Sequence, residues 1–97
     1  MTEGFSAAWM SDNVVAIRGR FDAAQTAKAE EVLSQAKAST EVDFSDLKYI
    51  SSAGIGTLLA AHKDLQERGC SLKLVNMNEH IRELFELAGF DMVFELE

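Results

Sequence analysis

The spacing of hydrophobic positions changes period several times along the chain. "FSAAWM" at 5–10 and "VVAIRG" at 14–19 read as strands, and the turn-forming "SDN" between them predicts an opening hairpin. "FDAAQTAKAEEVLSQAKAS" then takes up a helical period. Asp22 is its candidate N-cap, Gln25 stands three residues on, and Ala29, Val32, Leu33 and Ala36 share one face. "EVDF" at 41–44 is short and alternating, as a strand should be. From Ser52 the positions Ile55, Leu58, Leu59, His62 and Leu65 follow the i, i+3, i+4, i+7 rule of an amphipathic helix, with Gly69 as the residue just past its end. "LKLV" at 72–75 is the next strand. Asn78 would cap a third helix with the stripe Ile81, Leu84, Phe85 and Ala88, closed by Gly89, and "MVFEL" at 92–96 reads as a final strand.

Strands alternating with helices imply right-handed crossovers. The expected fold is therefore α/β, with a mixed, largely parallel sheet, an N-terminal hairpin and amphipathic helices, built as a single domain over residues 1–97. In such sheets, the loops after the carboxyl ends of the parallel strands share an edge, where ligands and partners gather. Three loops are expected to meet there: the one carrying Asp22, the one from Ser45 to Ala53, and the one around Asn76 and Asn78.

Composition narrows the functional classes. The chain has 97 residues, 47% hydrophobic and 26% charged, with no proline, which is the make-up of an ordinary globular protein. Its net charge is −7 with scattered Lys and Arg, so it lacks the basic footprint of a nucleic-acid binder; a basic protein partner fits better. "MTEGFSAAWMSD" has neither a basic nor an apolar leader region, and no run is long enough to insert into a membrane, so a cytoplasmic protein is expected. Cys70 is the single cysteine. It has no second thiol for a disulfide or a metal site, and it reads as a small hydrophobe ahead of a strand. Trp9 and the isolated His62 and His80 read as packing or surface positions, and no cofactor or metal is expected.

The chemistry concentrates in "YISSAGIGTLLAAHKDL" at 49–65. Ser52 stands at the start of a helix, where the first amide hydrogens lack intrahelical partners and the macrodipole is positive. A hydroxyl there can cap the helix; the same geometry also suits a phosphate. Gly54 and Gly56 open the first turns to close approach, either by the sheet or by a partner.

"VDFSDLKYISSAGIGTLLAAHKDLQERGCSLKLVN", followed by "NEHIRELFELAGF" and preceded by "IRGRFDAA", resembles the STAS domain of bacterial anti-sigma factor antagonists. The family signature pairs a D-[LF]-S strand with a later [DS]-S-x-G-[LI] at a helix start, and the likeness spans residues 5 to about 95. The resemblance implies partner switching. The unphosphorylated protein would bind a serine kinase that is also an anti-sigma factor, and phosphorylation would release it. Gly54, Ile55 and Gly56 set the phosphoacceptor at Ser52. Ser51 stands where the family often has aspartate, and Ala53 where it often has a second hydroxyl, which leaves Ser51 open as an alternative acceptor. Asp22 and Asp43 match the family's G-x-[LF]-D and D-[LF]-S aspartates. Together with Ser51, Ala53, Gly54, Gly56, Thr57 and Ala60 they form the expected partner-binding set, since Gly56, Thr57 and Ala60 lie off the predicted apolar stripe.

Other classes fit poorly. Neither serine has the glycine two residues before it that a nucleophile elbow requires, so a hydrolase is not expected, and neither G-x-G-x-x-G nor a P-loop lysine is present for a nucleotide. The kinase and the serine phosphatase that resets the switch would be separate chains. The rival reading keeps the fold and drops the switch: a STAS subunit serving as a permanent scaffold in a lipid-transport or stress-sensing assembly.

Overall fold

The computed structural model describes residues 4–97; Met1 to Glu3, which open both the expected domain and the stretch read for a leader, lie outside the described residues. β1 (Ser6–Ser11) and β2 (Val14–Phe21) form the predicted antiparallel hairpin across Asp12 and Asn13, where the Ser11 hydroxyl donates to Asn13 Oδ1 at 3.2 Å. A 3-10 turn (Ala23–Gln25) leads into α1 (Thr26–Leu33). β3 (Thr40–Asp43), β4 (Leu47–Ile50), α2 (Ser52–Glu67), β5 (Leu72–Val75), α3 (Glu79–Leu87), a second 3-10 turn (Phe90–Met92) and β6 (Glu95–Leu96) follow.

The sheet order is β1-β2-β3-β5-β6, and every pairing beyond the hairpin is parallel. β4 joins it off this path. β2 is long enough to pair twice in parallel: Val14–Ala16 with β3, then Gly19–Phe21 with β4. Phe44 to Asp46 turn the chain without leaving β2, since Gly19 N–H donates to the Asp46 carbonyl at 3.0 Å. Gly19 has φ +85, and a Cβ there would collide with the Gly4 carbonyl oxygen, so conformation and space both demand glycine.

Strand alternation sends Val15, Ile17, Val42, Leu72 and Leu74 into one core with Leu33, Leu58, Leu65, Ile81 and Phe85 from the helices. Arg18, Glu41 and Lys73, on the opposite face of the sheet, stay exposed or half-buried. Lys73 is shared there by Glu97 at 3.2 Å and Glu95 at 3.6 Å. The hydrogen bond to Glu97 and the charge of Glu95 raise its pKa.

Helix ends follow their caps. Asn78 Oδ1 accepts from Ile81 N–H at 2.8 Å, and its amide nitrogen donates to the Leu47 carbonyl, tying α3 to β4. Gly69, at φ +77, closes α2: its N–H donates to the Gln66 carbonyl and that of Cys70 to the Leu65 carbonyl, the two bonds of a Schellman end. Trp9 packs against the core, with its indole N–H shared between the Val32 carbonyl and Gln35 Oε1.

Four expectations need correction. The helix after Asp22 opens as a 3-10 turn and ends at Leu33, where Ser34 donates its hydroxyl to the Glu31 carbonyl. Asp22 does cap, accepting from Ala24 N–H at 3.1 Å, but Gln25 does not reach back; its Oε1 is buried without a partner. Residues 92–96 divide between the second 3-10 turn and a two-residue β6, because Phe94 is drawn into the core against Phe85 and His62. Leu84 and Ala88 face outward, since Ile81 and Phe85 alone fill the contact under α3.

Candidate functional site

The carboxyl end of β2 and that of β4 lie side by side, with Phe21 paired to Ile50, so the chains leaving them run together. Ser51 N–H donates to the Phe21 carbonyl at 3.0 Å, which brings the Asp22 turn against the start of α2. Ser51 is the N-cap: its backbone is extended and its hydroxyl accepts from Gly54 N–H at 3.2 Å. The sequence pattern places Ser52 at the helix start, where a hydroxyl can cap. Ser52 instead takes the first helical position, exposed, and among the described residues its hydroxyl has no hydrogen-bond partner.

The two glycines separate. A Cβ on Gly54 would come within 2.9 Å of both the Phe21 carbonyl oxygen and Ile50 Cγ1, so Gly54 is buried against the strand ends. Gly56 faces open space. That close approach turns α2 about its axis. The buried residues are Gly54, Thr57, Leu58 and Leu65, whereas Ile55, Leu59 and His62, expected inside, are half-buried.

Thr57 is therefore corrected from an outward position to a buried one; its hydroxyl donates to the Ala53 carbonyl at 3.2 Å. It lines a cleft of about 260 Å³ between α1 and α2 with Leu33, Ala60 and Ala61. Ala53, Gly56 and Ala60 are exposed as expected. Ser52, Gly56 and Ala60 are spaced four apart. They form a shallow strip beside the half-exposed Ile55 and Leu59, which the sequence reading placed in the core. The pairing of small residues at 54, 57 and 61 with Leu58 and Leu65 was the signal for that rotation.

The three expected loops meet only in pairs: the Asp22 turn meets the Ser51 end of the 45–53 segment, while Asn76 and Asn78 meet its Ser45–Leu47 end. β4 intervenes, so Asp43 pairs with Ala16 while Ile50 pairs with Phe21, five residues further along β2. That is about 16 Å at the usual strand rise of about 3.3 Å per residue. Asp43 belongs to a second cluster. Its Oδ1 accepts from Ser45 N–H at 2.9 Å and from the amide of Asn76, a residue in the left-handed region at φ 61. Partial burial pushes the Asp43 pKa up. The bonds from Ser45 and Asn76 outweigh it and hold the carboxyl below its ordinary value of 3.8.

At the Ser52 end of the sheet, Arg20 lies over the Tyr49 ring at 4.3 Å, an exposed pair that the sequence reading did not single out. Its signal was cross-strand: both residues stand immediately before the motif elements. Among the described residues no cluster of three His, Cys, Asp or Glu side chains could hold a metal ion, and no helix is long and apolar enough to cross a membrane.

The mixed sheet with its N-terminal hairpin, three helices and a serine at the start of α2 is the arrangement expected of a STAS-type domain. A family model described as "Mlab, STAS domain" matches residues 7–96, and the chain belongs to that family. It is 28% identical over 85 residues to an anti-sigma-B factor antagonist of Listeria monocytogenes, covering 84% of this chain and 75% of that protein. Among solved structures, the Bacillus cell fate determinant SpoIIAA in its phosphorylated form superposes with a TM-score of 0.69 at 20% identity, over 97% of this chain and 91% of that one. The unphosphorylated anti-sigma factor antagonist SpoIIAA gives 0.72 at 22%, over 97% and 88%. A putative antagonist from Thermotoga maritima gives 0.76 at 18%, over 95% and 84%. These likenesses show a shared fold.

Proposed function

We propose that this chain is an anti-sigma factor antagonist switched by phosphorylation of Ser52. Unphosphorylated, it binds a basic-surfaced anti-sigma factor that is also a serine kinase; modified, it lets go, and a separate serine phosphatase restores it. The reading places the protein in the cytoplasm, as a binding module rather than an enzyme, with residues 1–97 acting as one domain.

The observation that carries it is the division of labour between the serines. Ser51 is half-buried with its hydroxyl engaged on the Gly54 amide, so a kinase could reach it only after that bond opened. Ser52 is exposed and, among the described residues, unbonded, at the positive end of a 16-residue helix that can hold a dianion without refolding. The strip of Ala53, Gly56 and Ala60 with Ile55 and Leu59 adjoins it as the docking face, and Asp22 and Ser51 edge that face. Gly54 and Thr57 act from beneath by setting the rotation of α2. Asp43 shapes the neighbouring turn. A phosphate on Ser52 adds about −1.5 to −2 charges to an edge that already carries Asp22, and a penalty of about 3 kcal/mol weakens docking more than a hundredfold. Likeness to an anti-sigma-B factor antagonist, and the existence of SpoIIAA in both phosphorylated and unphosphorylated forms, support the reading.

The test is phosphosite mapping of the tryptic peptide "YISSAGIGTLLAAHK" from native cells in growth and in stress, with phosphatase activity inhibited. Phosphate on Ser52 that varies with condition is expected. Phosphate confined to Ser51 would overturn the assignment of the acceptor, and none in any condition would leave the permanent-scaffold reading.

A further inference from the structure

Four of the six exposed large hydrophobic side chains among the described residues fall within ten positions: Leu84, Leu87, Met92 and Val93. Leu87 is 81% and Met92 89% exposed, more than packing of either could explain. Leu84, Leu87 and Ala88, at i, i+3 and i+4, share one flank of α3, and Met92 and Val93 follow Gly89 in the turn packed against that helix. None of these residues belongs to the α2 face beside Ser52.

The longer C-terminal stretch that contains this segment concentrates the protein's charge. Residues 79–97 hold six carboxylates against one arginine, a formal −5 of the chain's −7, so the other 78 residues carry only −2. Arg82 is engaged with Glu86 at 3.4 Å, and Lys73 is shared by Glu95 and Glu97. Glu83 and Asp91, which flank the apolar positions in sequence, have no cationic partner among the described residues. An apolar surface of this kind marks an interaction site, and its rim decides the partner. A second copy docked face to face would bring these carboxylates against their own kind, and an anionic membrane would be repelled in the same way.

We propose that the α3 flank and the turn after it form a second docking surface, separate from the phospho-switch, for an amphipathic protein segment whose apolar side chains are flanked by Lys or Arg. Leu87 and Met92 supply the contact area. Glu83 and Asp91 set the sign of the partner's flanks and the salt dependence of binding.

The test uses the full isotope-labelled chain, titrated with a short amphipathic helical peptide of leucine and lysine, with its leucine–glutamate counterpart and with phosphatidylglycerol vesicles. The lysine peptide is expected to shift amide resonances at 84–93 and not those at the start of α2. The double variant Leu87→Ser/Met92→Ser, with both sites on the surface, should weaken it at least tenfold with the charge unchanged, and Glu83→Gln/Asp91→Asn should flatten the salt dependence. The proposal is overturned if the shifts spread over the whole acidic surface and ignore the serine double variant. It also falls if the glutamate peptide or the vesicles bind as well, or if that variant removes a dimer of the free chain.

Discussion

Gly54 and Gly56 stand two residues apart in the same helix, and alanine should have opposite effects at the two positions. At Gly56 a new Cβ meets nothing within 4 Å, so Gly56→Ala collects only the helix-propensity gain, roughly 0.5–1 kcal/mol. For a chain of this size that raises Tm by roughly 2–8 °C. At Gly54 the same gain meets a Cβ placed 2.9 Å from Ile50 Cγ1 and 2.9 Å from the Phe21 carbonyl oxygen. The isoleucine can turn; the carbonyl cannot, because it is fixed in the sheet and accepts from Ser51 N–H. Overpacking of this kind costs about 1–3 kcal/mol, so Gly54→Ala should be destabilised by about 0–2.5 kcal/mol net and lie about 1–3 kcal/mol below Gly56→Ala. Thermal and urea melts followed by fluorescence of the single tryptophan, Trp9, read the difference directly. Equal melting points, or a Gly54→Ala protein more stable than the wild type, would refute the packing account of α2. The partner reports the reverse order: Gly56→Ala, stable but with a methyl added to the docking strip, should lose affinity.

Ser51→Ala removes the cap and should cost about 1 kcal/mol in urea melts, whereas Ser52→Ala should stay within about 0.5 kcal/mol of wild type. In partner pull-downs or calorimetry, Ser52→Ala should bind and resist kinase-driven release, and Ser52→Asp should bind weakly; wild-type affinity for the aspartate variant would count against an electrostatic switch. Asp43, whose folded-state pKa is lowered, contributes stability that is present above its ordinary value of 3.8 and is lost as pH falls through the folded value. Asp43→Asn should thus be less stable than wild type at neutral pH, with the gap closing below about pH 4 in pH-dependent melts.

Local signals were legible wherever the physics is local. Asn78 and Gly69 punctuate their helices as their side chains require, the hairpin turns at Asp12 and Asn13, and the strand–helix alternation yields the mixed sheet with its hairpin at one edge. The two serines at a helix start and Asp22 as a cap could be read from the residues themselves, whereas Asp43 entered only through the family resemblance. β4 could not be read. Leu47–Ile50 buries only its two ends, without the alternation that advertises a strand, and it becomes one because β2 is long enough to offer a second row of parallel partners. That pairing moved Asp43 away from the Ser51–Ser52 turn.

The sequence by itself determined the strand–helix alternation, the caps at Asn78 and Gly69 and the presence of two hydroxyls at a helix start, because caps, turns and periodicity act over a few residues. Tertiary structure decided which hydroxyl is free. The Phe21 carbonyl holds Ser51 in the capping position, and the gap left by Gly54 draws α2 against the strand ends, turning Thr57 inward and Ile55 and Leu59 partly outward. A helix with hydrophobic residues on more than one side has no unique buried face until a particular surface is packed against it.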